Sequence, residues 1–158
     1  MPDSLRRALV CCALLSAVAI PLSGCGSGDT EKANAYVNQV NMIESDIAAQ
    51  FSKTAATIAP TNTPATDGKA LDSFDAAITS GVRRLDAVKP PDKVKLLHAK
   101  LVATIDGFHG PIGKARSALK KKSLPDLASA QASFIASLNA VSADIKTVLD
   151  KINAKLHA

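Results

Sequence analysis

Large rings are scarce in this chain of 158 residues. Tryptophan is absent, Tyr36 is the single tyrosine, and aromatics make up 3% of the sequence. Aromatic cages and sugar-stacking platforms need several exposed rings, so that class of binding site is excluded. Cysteine occurs only as Cys11, Cys12 and Cys25, and none follows residue 25. The long downstream body therefore has no disulfide, no thiolate nucleophile and no cysteine metal ligand. Glutamate occurs only as Glu31 and Glu44, and neither has a histidine three residues on, so the Glu-x-x-His pairs of a di-iron bundle are missing. There is no His-Glu-x-x-His, no Cys-x-x-Cys-His, no Gly-x-Ser-x-Gly elbow and no glycine-rich phosphate loop. These absences leave no catalytic residue to name, and the expectation is a protein that is not an enzyme.

What is present begins at the N-terminus. Residues 1–7 are short and basic, ending in Arg6-Arg7, and residues 8–20 (ALVCCALLSAVAI) are uninterrupted apolar sequence. Pro21 and small residues then lead to Cys25. A basic segment, an apolar segment and small residues in that order are the layout of an export signal. The apolar run falls short of the roughly 20 residues a relaxed membrane span needs. The basic end stays in the cytoplasm, so the chain after it is delivered outside.

Leu22, Ser23, Gly24 and Cys25 match, position by position, the lipobox Leu-Ala/Ser-Gly/Ala-Cys, and the segment resembles a bacterial lipoprotein signal. The resemblance implies cleavage before Cys25, a diacylglycerol on its thiol and often an acyl chain on its new amine. That covalent lipid would be the only cofactor, and the site would be the extracytoplasmic face of a bacterial membrane. Two or three chains on one residue make an anchor effectively permanent, because each buried methylene contributes about 0.8 kcal/mol. An ordinary signal peptide cut near Gly24, with Cys25 incidental, and an uncleaved anchor are the competing readings. On the lipoprotein reading the chain divides into a signal (1–24), a lipidated cysteine with tether (25–29) and a folded domain (30–158).

The domain reads as all-α. Its apolar residues recur at three- and four-residue steps, the period of a helix with one buried face. A first helix is expected from about Thr30 to about Ala59, with Tyr36, Val40, Ile43, Ile47, Phe51 and Ile58 on its stripe. Pro60 and Pro64 enclose a loop. A second helix is expected after Thr66-Asp67-Gly68, carrying Leu71, Phe74, Ile78, Val82, Leu85 and Val88, and Pro90-Pro91 closes it. A third is expected from Asp92 to about Lys120, with Val94, Leu97, Leu101, Ile105, Phe108, Ile112, Ala115 and Leu119. A fourth is expected from Ser123 or Leu124 almost to the end, with Ser123 as N-cap. Its stripe is Leu127, Ala130, Phe134, Leu138, Val141, Ile145, Val148, Ile152 and Leu156. Short connections between four such helices favour an antiparallel up-down four-helix bundle.

The third helix holds the most unusual local sequence, Gly107-Phe108-His109-Gly110-Pro111-Ile112-Gly113. Pro111 removes one backbone hydrogen bond and clashes one turn back. A kink is expected, since the stripe keeps its phase, with a break into two helices as the alternative. Gly107, His109, Gly110 and Pro111 are then candidates for a groove that takes a ligand or partner. His98 and His109 lie eleven residues apart, roughly 16 Å along a helix, too far to share one metal ion. Surface or boundary histidines and no metal site are expected. Asp86, Asp92 and Asp106 read as helix-surface ion-pair partners.

Net charge is +5. Export and a mild basic excess make nucleic acid an unsuitable partner; the lipid-anchored membrane and an envelope protein suit better. If the first helix leaves the bilayer at Cys25, the end nearest the bilayer holds Pro90-Pro91 and the C-terminus. Arg83, Arg84, Lys89, Lys93, Lys95, Lys151 and Lys155 gather there, open to two readings: contact with anionic lipid, or charges placed by helix C-termini. Lys114, Arg116 and Lys120-Lys121-Lys122 form a second basic group at the other end, suited to an acidic wall polymer or to simple solvation.

The body also is similar in style to small alanine-rich helical lipoproteins of high-GC bacteria. The carrier of that likeness is Leu85-Asp86-Ala87-Val88-Lys89-Pro90-Pro91 followed by Leu97-His98, and it brings no activity with it. The expected function is a membrane-anchored, non-enzymatic binding or structural module. The alternative is a small-ligand or metal carrier using the bundle interior, near Phe74, Phe108 and Phe134, or the kink.

Overall fold

The computed structural model describes residues 29–55, 63–121 and 124–157, and residues 1–28 with the lipobox Leu22–Cys25 lie outside it. The described residues form helices joined by turns, with no strand among them. In chain order these are α1 (Asp29–Ala55), α2 (Pro64–Asp86), a 3-10 turn (Asp92–Val94), α3 (Lys95–Asp106), α4 (His109–Lys121) and α5 (Leu124–His157).

Local chemistry explains most of these bounds. α1 opens with Asp29 and Glu31, whose charges favour the positive end of the helix dipole. Asp29 thus belongs to the helix and not to the tether. α2 starts two residues before the expected turn. Thr63 is its N-cap, accepting the Thr66 N–H at 3.3 Å, and Pro64 takes the first helical position. There proline loses no hydrogen bond, which is why Pro64 begins the helix instead of lengthening the loop. α5 starts at Leu124, as expected; its proposed cap Ser123 lies outside the described residues.

The expected single third helix is not what forms. A 3-10 turn precedes Lys95, and the helix from there stops at Asp106, before a second begins at His109. The broken arrangement holds, not the kink. Pro111 becomes the third residue of α4, inside the first turn, where its missing N–H has no partner to lose. Had one helix continued, the Pro111 ring would have met the Gly107 carbonyl. Ending α3 at Asp106 avoids that collision. The turn stays tight: Gly107 N–H donates to Ala103 O at 3.1 Å, Phe108 N–H to Ile105 O at 3.1 Å and Ile112 N–H to Phe108 O at 3.3 Å. Hydrogen bonds that bridge the turn keep the apolar stripe in phase across it.

The stripes meet in one core. Tyr36, Val40 and Ile43 from α1, Leu71, Phe74, Ile78 and Leu85 from α2, and Val94 are buried together. Leu101 and Ile105 of α3, Ile112 of α4, and Leu138, Ile145, Val148, Ile152 and Leu156 of α5 complete it. α1 packs on α2, α2 packs on α3 and α4, and α5 packs on both of these. Of the expected stripe residues, Ile58 lies outside the described residues, and so do the side chains of Leu127 and Ala130. Among the described residues no helix is long and apolar enough to cross a membrane.

Candidate functional site

Polar chemistry gathers at two places, and the helix break is the richer. Phe108 sits in the turn with its ring turned inward, 4% exposed and 5.8 Å from the Phe51 ring. That contact fixes the turn against α1. The next residue, His109, is the first of α4 and stays at the edge of the core. Its Nδ1 lies 2.6 Å from Asp75 Oδ1 on α2, and its Nε2 lies 3.6 Å from Asp106 Oδ1 at the end of α3. Since a carboxylate only accepts, Nδ1 carries the proton in that contact.

Two turns further along α4, Arg116 reaches the same carboxylate. Its guanidinium donates to Asp75 Oδ2 at 3.2 Å and 3.3 Å, and to Asp72 Oδ1 at 2.6 Å. Asp72 and Asp75 stand three apart on α2, hence on one face. The His109 hydrogen bond holds the Asp75 carboxyl below the usual carboxylate range; burial opposes that, and the Arg116 charge reinforces it. The arrangement is a charge clamp. Carboxylates of α2 and α3 face an imidazole and a guanidinium of α4, directly over the break.

Of the residues expected here, His109 joins the cluster, Gly107 forms the turn, and Gly110 and Pro111 form the first turn of α4 with no side chain in the cluster. Gly107 has a structural reason to lack a side chain: a Cβ there would lie 3.1 Å from Thr104 O. Asp72, Asp75 and Arg116 were missed as site residues. The signal for Asp72 and Asp75 was their spacing on the rim of a stripe, readable only once α2 and α4 were known to be neighbours. Arg116 also leaves the second basic group, since its charge is spent on α2. Asp92 makes the expected local pair, with Lys95 at 2.6 Å; Asp106 faces only His109 Nε2, and Asp86 makes no ion pair among the described residues.

The second place is inside the body. His98 is 7% exposed, which corrects its reading as a surface or boundary residue. Its Nε2 lies 3.1 Å from the Leu85 carbonyl, and its Nδ1 lies 3.2 Å from Tyr36 Oη. A carbonyl can only accept, so Nε2 carries the hydrogen, and in the neutral ring Nδ1 accepts the Tyr36 O–H. Leu85 O also accepts the Val88 N–H at 2.9 Å. It is one of the last carbonyls of α2, left without an intrahelical partner. His98 thus caps α2 from across the Pro90-Pro91 turn.

Glu44 lies on the same face of α1, two turns beyond Tyr36. Burial pushes its carboxyl up to about 7. Its Oε1 is sealed from solvent without a hydrogen-bond partner. Burial, and then the Glu44 charge, push the Tyr36 phenol up to about 12. Among the described residues no group of three or more His, Cys, Asp or Glu side chains is placed to hold a metal ion. No protein-family model, curated protein or solved structure matches the chain.

Proposed function

We propose that the protein is a lipid-anchored envelope lipoprotein, held at the extracytoplasmic face of a bacterial membrane by Cys25, whose helical body serves as a non-enzymatic binding or structural module. The observation that carries this reading is the run of basic segment, apolar segment and Leu22-Ser23-Gly24-Cys25, with α1 beginning four residues later at Asp29. So short a spacer keeps the body against the bilayer.

The proposal includes an up-down-up-down path, with α3 and α4 together acting as the third leg. Pairings of distant residues support it. Asp46 meets Arg84 and Phe51 meets Phe74, so α1 and α2 run in opposite directions. Leu85 meets His98 and Asp72 meets Arg116, so α2 opposes α3 and α4. The body is then a rod with its ends about 40 Å apart for helices of this length.

A carrier role has less support. Phe74, expected to line a cavity, packs edge-on against Phe51 at 4.8 Å, and the Phe134 ring lies 6.3 Å from it. Rings that fill the interior together favour a solid core. Mass spectrometry of the mature N-terminal peptide tests the proposal. A thioether-linked diacylglycerol on Cys25 is expected, and Cys25→Ser is expected to release the body from the membrane fraction. An unmodified thiol in the mature protein, or a serine variant that still sediments with membranes, would refute it.

A further inference from the structure

We infer that the end of the body holding the Pro90-Pro91 turn is a docking face for an anionic bilayer, with Leu96 as its apolar insertion point. Three chain segments are brought together there. Lys93 Nζ donates to the Leu156 carbonyl at 3.1 Å, which places the end of α5 beside the turn. Asp92 feels the charge of Lys32, which places the first turn of α1 there too.

Leu96 is 88% exposed, and with Met42 it is one of two exposed large apolar side chains among the described residues. It is the second residue of α3, opposite the buried Val94, His98 and Leu101. Helical side chains lean toward the N-terminus of their helix. Leu96 therefore leans toward the Pro90-Pro91 turn from the outer face of α3.

The segments that meet at this end carry free cations: Lys89, Lys151 and Lys155 are exposed and make no ion pair among the described residues. Lys95 is paired with Asp92, and Lys32 lies 3.9 Å from Asp29. Glu31 and Asp86 are the acidic groups left over at this end, so free positive charge is in excess. An exposed leucine on an end that carries free lysines suits the interface of an anionic leaflet: apolar area enters the headgroup layer and lysines meet phosphate. Charge complementarity selects the occupant, and the proximity of Cys25 to α1 aims this end at the membrane. That orientation rests on the lipid-anchor proposal; the surface itself does not.

The test uses residues 26–158, since every core residue among the described ones lies between Ala33 and Leu156. Circular dichroism checks that each variant remains helical. Sedimentation is measured with vesicles of phosphatidylcholine alone and of phosphatidylcholine with an equal part of phosphatidylglycerol. Binding to the anionic vesicles is expected to be at least tenfold tighter and to weaken with salt. Leu96→Asp is expected to weaken it about tenfold. Lys89→Gln and Lys155→Gln are each expected to cost about fivefold. Met42→Asp, on α1, is expected to change nothing. Equal binding to both vesicles, no binding to either, or equal losses from Leu96→Asp and Met42→Asp would overturn the inference. So would a soluble polyanion that binds the parent and Leu96→Asp alike. Because this body lacks Cys25, the result is independent of the lipid anchor: a lipidated protein whose bare body ignores anionic vesicles removes the docking face alone.

Discussion

Glu44→Gln separates the cost of a buried charge from the cost of a buried side chain. The two side chains have nearly the same shape, so packing against the core is preserved. In the folded protein the Glu44 carboxyl titrates at about 7, against an ordinary value of 4.5. As pH rises, the unfolded chain releases this proton first, while the folded chain holds it. Unfolding is thereby favoured progressively between the two values, and the loss levels off above the higher one. The gap corresponds to about 3 kcal/mol as a ceiling. Water reaching the accessible part of the side chain screens some of it, so about 1–2 kcal/mol is expected at pH 8.

The Gln variant carries no titrating group and escapes that loss. Near pH 4 the wild-type carboxyl is protonated in both states, and the two proteins are expected to differ little. At pH 8 Glu44→Gln is expected to be the more stable, with a midpoint of thermal unfolding raised by about 3–8 °C. Urea unfolding followed by circular dichroism across pH 4 to 8 measures the difference directly. A variant whose advantage is the same at pH 4 and pH 8, or which is the less stable at pH 8, would refute the assignment of a proton-holding buried carboxyl.

Three further outcomes follow from named contacts. Asp75→Asn removes the acceptor shared by His109 and Arg116 and is expected to cost about 1 kcal/mol at pH 7, the modest value of a partly exposed ion pair. The Asp75 carboxyl sits below its ordinary range, so the stability it contributes is present above that range and lost as pH falls through its folded value; wild type and variant should converge in acid unfolding curves once pH has fallen through that value. Gly81→Ala places a Cβ against Ile47 Cδ1 and 2.8 Å from Ile47 Cγ1. Overpacking of about 1–3 kcal/mol then outweighs a gain in helix propensity of about 1 kcal/mol, and Ile47→Ala in the same chain should recover part of the loss in a double-mutant cycle. His98→Leu leaves the Tyr36 hydroxyl without its acceptor and the end of α2 without its cap, at a cost of about 1–3 kcal/mol by urea unfolding. Adding Tyr36→Phe should recover the hydroxyl's share.

Helical period was legible because apolar spacing reports which residues face a core, whatever that core contains. Val40, Ile43, Phe74, Ile78, Leu101, Ile105, Ile145 and Ile152 were all placed on stripes, and all are packed in the core. Boundaries that depend on a single proline were harder. Pro64 and Pro111 each looked like an interruption, yet each sits in the first turn of a helix. A proline has two helix-compatible readings, near a start or at a kink. Only the backbone before it decides, and the matter is settled at Pro111 by the end of α3 at Asp106 and the turn at Gly107-Phe108. The clamp of Asp72, Asp75, His109 and Arg116 was illegible for another reason. Its members are distant in sequence, and their meeting depends on which helices are neighbours and at what height. Periodicity carries no information about either.

His98 joins these two lessons. A histidine in the second turn after a Pro-Pro pair was visible as a pattern without a purpose. Two consecutive prolines cannot donate backbone hydrogen bonds. The chain leaving α2 therefore cannot satisfy the last carbonyls of that helix from Pro90 or Pro91, and Val88 N–H already serves Leu85 O. The second lone pair of that carbonyl is open to a donor that reaches it from elsewhere. An imidazole suits the task, because its ring spans the gap from α3 and donates at Nε2 while accepting at Nδ1. A lysine would bring a charge into the core, and a leucine would bring no donor. The Nδ1 acceptor then calls for its own donor, which the single tyrosine of the chain supplies at 3.2 Å. The Pro-Pro turn, the buried histidine and Tyr36 are thus one device that locks α1, α2 and α3 together.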